Sequence, residues 1–190
     1  NEHDQAPDFA KGFSITQLSV TDNTVLAGHV VPWFNYFVVK PHGAGHFLNG
    51  LTVTGNSFRI IGDPIERVEG IDTSFADLDY NRFQNITFRD NMFNNVTRTV
   101  SSPITIEHTQ TTPAQAWTVD AGPRLPFNAW VQGVDAVVAA GPLRDADNTV
   151  VYAAPYYQAK QGPDNDQAVL RWETDLKGTV MVTVRIDDPF

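Results

Sequence analysis

Cysteine is absent from the sequence, which excludes disulfide bridges and thiolate metal sites and leaves packing or association to supply stability. Cationic residues are scarce: 13 Lys and Arg stand against 22 Asp and Glu, for a formal net charge of −9. That balance argues against nucleic acid and anionic membrane as partners, because both need a basic footprint. Polysaccharides stay open, since a neutral glycan is indifferent to the deficit and a local basic patch would serve an anionic one. No apolar run approaches the roughly 20 residues that span a bilayer, so no membrane insertion is expected. The opening Asn1-Glu2-His3-Asp4 is polar, lacks Met and carries no signal peptide. The start therefore reads as processed or truncated, and an upstream portion of the same polypeptide is expected. Also missing are a nucleophile elbow, a phosphate-binding glycine loop and a zinc hydrolase motif. No cofactor and no resident metal are expected, with calcium left open only at the acidic segment described below.

What the sequence does have is an eight-residue pattern met three times. It reads Leu18-Ser-Val20-Thr-Asp22-Asn23-Thr-Val25, Leu51-Thr-Val53-Thr-Gly55-Asn56-Ser-Phe58 and Ile86-Thr-Phe88-Arg-Asp90-Asn91-Met-Phe93, with offsets of 33 and then 35 residues. Alternation of period two predicts a short strand, and the Asp/Gly-Asn pair after it predicts a sharp turn. A strand-turn unit recurring at such an offset predicts a solenoid, because each copy buries its apolar side against the next. Asn23, Asn56 and Asn91 suit the role of a structural turn ladder: asparagine tolerates left-handed backbone, and stacked amides can hydrogen-bond from one repeat to the next. Three look-alike hairpins of an ordinary sandwich are the alternative.

These residues resemble the right-handed parallel β-helix, the fold of pectate lyases, polygalacturonases and many phage tailspikes. The segments Gly50–Phe58 and Asn85–Asn91 carry the resemblance, which covers about residues 13–110. It implies an architecture rather than an activity, because the fold hosts lyases, hydrolases, epimerases and non-catalytic adhesins. The expected organisation is all-β: a polar lead-in over 1–12, a short right-handed parallel β-helix over 13–110, a linker over 111–127 rich in Thr, Gln and Ala, and a C-terminal antiparallel β-sandwich over 128–190. The sandwich follows from strand candidates at 129–140, 149–154, 168–172 and 179–186, separated by Gly, Asp, Asn and Pro turns. The apolar stretch 29–40 reads as a strand pair broken at Pro32, and 62–82, with six carboxylates against one Arg, as an acidic loop thrown out from the solenoid.

The catalytic signals are thin. Polygalacturonase-type hydrolases carry Asn-Thr-Asp, Asp-Asp and Gly-His-Gly on successive coils. Here Gly45-His46-Phe47 departs at the second Gly, and the Asp-Asp pair is Asp187-Asp188 near the C-terminus. Pectate-lyase chemistry needs calcium and a basic residue; the acidic segment has Arg67 but lacks the spacing of a calcium loop. Asp63, Glu66 and Asp72, with Glu69, are the candidates for the carboxyl pair of glycoside hydrolysis. His42 and His46 have the four-residue spacing of a helical metal pair, but Gly-Ala-Gly between them argues for a turn instead. The aromatic group around Trp33 and Tyr36 is the strongest binding signal, with core packing or a subunit interface as the competing explanation. A glycan site over Trp33, Tyr36, His42 and His46 is therefore expected, walled by 62–82, on a homotrimeric surface-spike or tailspike-type module that recognises a cell-surface polysaccharide outside the cell or on a virion or other particle. The alternatives are a polysaccharide lyase or glycosidase, and a scaffolding piece of a larger exoprotein.

Overall fold

Strand order follows from the alternation of the repeats. The structure is a computed structural model that describes residues 16–41 and 46–188, and the chain is all-β. Helix among the described residues is confined to 3-10 turns at Tyr80–Arg82, Gly122–Arg124 and Pro126–Asn128. The chain divides into two compact units, one running to Ser102 and reclaiming the residues from Asp187 onward, the other Pro103–Ile186.

The first unit is built from parallel pairs. β1 (Thr16–Thr21), β2 (Thr24–Gly28) and β3 (Phe37–Val39) form one repeat, and β4 (Leu48–Thr54), β5 (Ser57–Ile61) and β6 (Glu69–Ile71) the next. β7 (Phe83–Gln84), β8 (Thr87–Arg89) and β9 (Met92–Asn94) follow. β4 lies parallel to β1 on one side and to β7 and β8 on the other; β5 lies between β2 and β9; β6 pairs β3. The register superposes the pattern on itself: Val20 faces Val53, which faces Phe88, and Val25 faces Phe58, which faces Phe93. Val53, Phe58 and Phe88 are fully buried. Each such side chain contributes about 1.5–3 kcal/mol on burial.

Three corners recur, and each turns through a left-handed residue: Gln17, Gly50 and Asn85 at one, Asp22, Gly55 and Asp90 at another, His29, Gly62 and Asn95 at the third. At the second corner the left-handed position is the residue before each asparagine, which frees the asparagine to bond. The Asn56 Oδ1 accepts from the Asn23 N–H and Nδ2 at 3.0 and 3.1 Å, and the Asn91 Oδ1 accepts from the Asn56 N–H and Nδ2 at 3.0 Å each. The Asn56 Nδ2 also reaches the Val20 carbonyl, and the Asn91 Nδ2 the Val53 carbonyl, both at 2.9 Å.

The far edge of this unit is closed by distant chain. Phe88 exchanges both backbone bonds with Ser102 at 2.8 Å, the Asp187 carboxylate takes the Ile86 N–H at 2.7 Å, and the Asp188 N–H meets the Phe83 carbonyl.

The second unit is an antiparallel sheet around two long strands, β10 (Ile104–Asp120) and β15 (Gln167–Arg185). On its other side β15 carries, in succession, β11 (Gly133–Ala139), β12 (Leu143–Arg144), itself paired with β13 (Val150–Val151), and β14 (Tyr156–Gln161). Trp117, Leu125, Phe127, Leu170, Leu176, Val180, Val182 and Val184 fill its core.

Four expectations are corrected. Residues 111–120, read as the start of a linker, are the second half of β10, because Trp117 and Val119 point inward and pair with Leu170 and Ala168. The unit boundary consequently falls at Ser102 and not at 110, and residues 104–110 pair with β15 rather than closing the parallel stack. The segment 62–82 is not a solvated loop: Ile65, Val68 and Glu69 are fully buried, and Glu69–Ile71 lies parallel to β3. Of the stretch 29–40, only Phe37–Val39 is strand, since Pro32 sits in the turn closed by the Phe34 N–H and the Val31 carbonyl at 2.9 Å.

Candidate functional site

Pro32 presets the first bend of the turn Val31–Phe34, and Trp33 follows at its tip, 79% exposed. The same corner of the next repeat lies against it, with the Glu66 N–H bonded to the Pro32 carbonyl at 3.3 Å. The third repeat continues the column through the Arg98 N–H, 2.8 Å from the Glu66 carbonyl. Glu66 and Arg98 pair across the repeats at 3.0 Å with both side chains half exposed. Thr97 Oγ1 donates to the Glu66 carbonyl at 3.1 Å, fixing the corner from beneath. The result is an exposed indole on the same corner column as a carboxylate–guanidinium pair.

The other expected residues are arranged differently. Tyr36 is held back from solvent: its hydroxyl donates to the Arg59 carbonyl at 3.0 Å, and its ring meets Phe34 and Phe58 at 5.1 and 5.3 Å. Burial raises its pKa, partly offset by a hydrogen bond with the Ala27 backbone. That hydroxyl clasps the β2–β5 sheet and is not presented to a ligand. His46 is buried, so it too is removed from the expected surface site. His42 lies outside the described residues.

The carboxylates do not converge. Asp63 is exposed in the turn after β5, and Glu66 is tied to Arg98. Asp72 is bonded to Lys40 at 2.8 Å and accepts the Ser74 N–H at 2.9 Å; Lys40 first and Ser74 second hold its carboxyl well below the usual range. Lys40 also sits 4.7 Å over the exposed Phe75 ring. Glu69 pairs with Arg67 at 3.3 Å, both buried, which stabilises the inside of the corner and keeps them from any external substrate. Burial raises the pKa of the nearby Tyr80, an effect the Arg67 charge opposes. Among the described residues no group of three or more His, Asp or Glu side chains is gathered as a metal ion would require.

One half-buried titratable residue escaped the sequence reading. The His108 Nε2 in β10 has no hydrogen-bond partner, its ring lies 5.8 Å from Trp117, and desolvation lowers its pKa against a weaker opposing bond with Gln110. The period-two pattern Ile104, Ile106, His108 was a signal that this histidine points inward. Comparison with family models, curated proteins and solved structures finds no match.

Proposed function

We propose that this chain is a structural and glycan-recognition module of a surface-spike or tailspike type, acting outside the cell or on a particle surface as a homotrimer. In this reading the first unit is a short right-handed parallel β-helix and the second an antiparallel β-sandwich that supplies most of the trimer contact. The repeat offsets of 33 and 35 residues and the three parallel sheets support the first assignment. The observation that carries the ligand class is the corner column that bears exposed Trp33 on one repeat and the Glu66–Arg98 pair on the next two. An indole face stacks on the CH face of a sugar, while a carboxylate and a guanidinium accept and donate to its hydroxyls. The net charge of −9 favours a neutral or weakly charged polysaccharide.

The test is an array of bacterial surface glycans probed with wild type and Trp33→Ala. Because Trp33 is 79% exposed, its removal leaves the fold intact, so loss of binding reads out the ligand contact. Absence of wild-type binding, or binding that survives in Trp33→Ala, overturns the site. A monomeric mass by light scattering at micromolar concentration overturns the trimer.

A further inference from the structure

The second unit carries an aromatic run that contains no charge. Residues 149–159 include no Asp, Glu, Lys, Arg or His, and Tyr152, Tyr156 and Tyr157 within them are all exposed. Tyr156 and Tyr157 stand on opposite faces of β14, and the strand register fixes what lies beside each. Tyr157 is opposite Leu170, on the side where Trp117 is buried. Tyr156, 66% exposed, is opposite Arg171, which in turn is opposite Ala116. Residues opposite one another share a face, so the next row on the Tyr156 side is Gln158, Val169 and Thr118.

The Arg171 guanidinium on this face is held in place. Its Nε donates to the Gln158 Oε1 at 2.9 Å, and the residue is half-buried. That bond occupies Nε and leaves both Nη groups without a protein partner among the described residues. No carboxylate of the described residues pairs with it, in a chain where 22 Asp and Glu outnumber 13 Lys and Arg. Ala116 and Thr118 are short, so the Tyr156 ring rises from a low floor beside a fixed cation.

We propose that this face of β14, β15 and β10 is a binding site for an acidic glycan. The CH face of a pyranose stacks on Tyr156, its carboxylate takes the Arg171 Nη groups, and the Thr118 hydroxyl meets a ring hydroxyl. An aromatic ring offers an apolar face to the sugar. A guanidinium has donors and no acceptor, so its best counterpart is an acceptor-only, planar carboxylate met by two parallel bonds. An acidic peptide is the poorer occupant. It would enter by adding a strand to the outer edge of β14, and that edge is bent. The register shifts between Gln158 and Gln161, Lys160 is left-handed at φ 55°, and the Lys160 N–H is taken by the Val131 carbonyl at 3.1 Å. Bulges of this kind turn an edge away from further pairing, whereas a stacked sugar uses the flat of the sheet. The site lies in the other unit from Trp33, selects a charged sugar and does not depend on the Trp33 corner.

The probe is a glucuronic acid tetrasaccharide titrated into the full chain by calorimetry, beside its methyl ester, which keeps the rings and removes the charges. Wild type is expected to bind the acid about tenfold more tightly than the ester. Arg171→Gln is expected to bring the acid down to the affinity of the ester, and Tyr156→Ala to weaken both forms about fivefold. Both variants are expected to keep the wild-type urea midpoint, and the comparison of acid with ester in wild type needs no variant at all. Trp33→Ala is expected to bind the acid as wild type does, which separates this site from the corner of the first unit. No binding of the acid by wild type, equal affinity for acid and ester, or an Arg171→Gln chain that still prefers the acid overturns the proposal. Loss of acid binding in Trp33→Ala overturns it by moving the site to the first unit. Tetraglutamate bound as tightly as the tetrasaccharide overturns the sugar and leaves a general anion patch. A lower mass for Tyr156→Ala by light scattering also overturns it, in favour of a contact between copies of this chain.

Discussion

Asn56 shows how far one side chain can be committed. It is fully buried, its Oδ1 accepts two bonds from Asn23, and its Nδ2 reaches Val20, Thr54 and Asn91. Leucine has a similar volume but leaves those partners unmatched, and each buried polar group left so costs about 1–3 kcal/mol. Asn56→Leu is therefore expected to lower stability by at least about 1–3 kcal/mol in urea unfolding, and an unchanged midpoint would reduce Asn56 to an ordinary turn residue. The sequence made the amide ladder through these asparagines legible, and misplaced only the left-handed backbone. Left-handed backbone falls on Asp22, Gly55 and Asp90, so conformational tolerance is the task of the preceding residue and hydrogen bonding that of the asparagine. Of the candidate site, Trp33 and Glu66 were legible in the sequence and Arg98 was not. Exposure of a neighbouring tyrosine depends on whether a backbone carbonyl from another repeat lies in reach, and for Tyr36 the Arg59 carbonyl does.

At the scale of elements, β10 was the least legible. Its stretch of Thr, Gln, Ala and Pro reads as a linker because nothing local marks it as strand, and its pairing with β15 spans a large sequence separation. Pro113 is tolerated because register shifts between Gln110, Ala114 and Ala116 place it where no ladder bond is required. The segment 62–82 was misread for a related reason: its carboxylates dominate the composition, while Ile65 and Val68 decide its position. A pH dependence belongs to β10. Folding lowers the His108 pKa from its ordinary 6.5, so the unfolded chain binds the proton more readily. The contribution is fully present above about pH 6.5 and is lost as pH falls towards the folded value. Between about pH 7 and pH 5 the urea midpoint of wild type is expected to fall more than that of His108→Gln. Asp166, raised by burial and then by Asp120, works in the opposite sense just above the ordinary carboxylate value of 3.8, and Asp72 loses its contribution below that value. Comparing variant with wild type cancels both. Parallel pH profiles for the two proteins would remove His108 from the account.

The first unit is completed from an unexpected place in the sequence. Asp187 is 1% exposed and takes the buried Ile86 N–H across 101 positions of sequence, so the end of the chain completes the unit in which the chain starts. Asp187→Ala leaves that N–H without its acceptor and is expected to cost about 1–3 kcal/mol. Hydrogen exchange should locate the loss at Ile86 and its neighbours in β7 and β8, with the β10–β15 ladder retaining its protection. Uniform weakening of both units would mean that Asp187 acts through global stability instead. The two-part organisation was legible in the change of texture along the sequence. The return of residue 187 was not, because a single carboxylate in a terminal Asp-Asp pair carries no local mark of its distant partner.

That return sets an order of events during synthesis. The residues of the first unit leave the ribosome first, yet the side chain that satisfies Ile86 is made only after all of Pro103–Ile186. Until then the nascent stack presents the Phe83 carbonyl and the Ile86 N–H to its surroundings, where unpaired strand groups invite pairing with other chains. The unit translated first is therefore sealed last, and a chain stalled or cleaved before residue 187 leaves a sticky remnant rather than a finished domain.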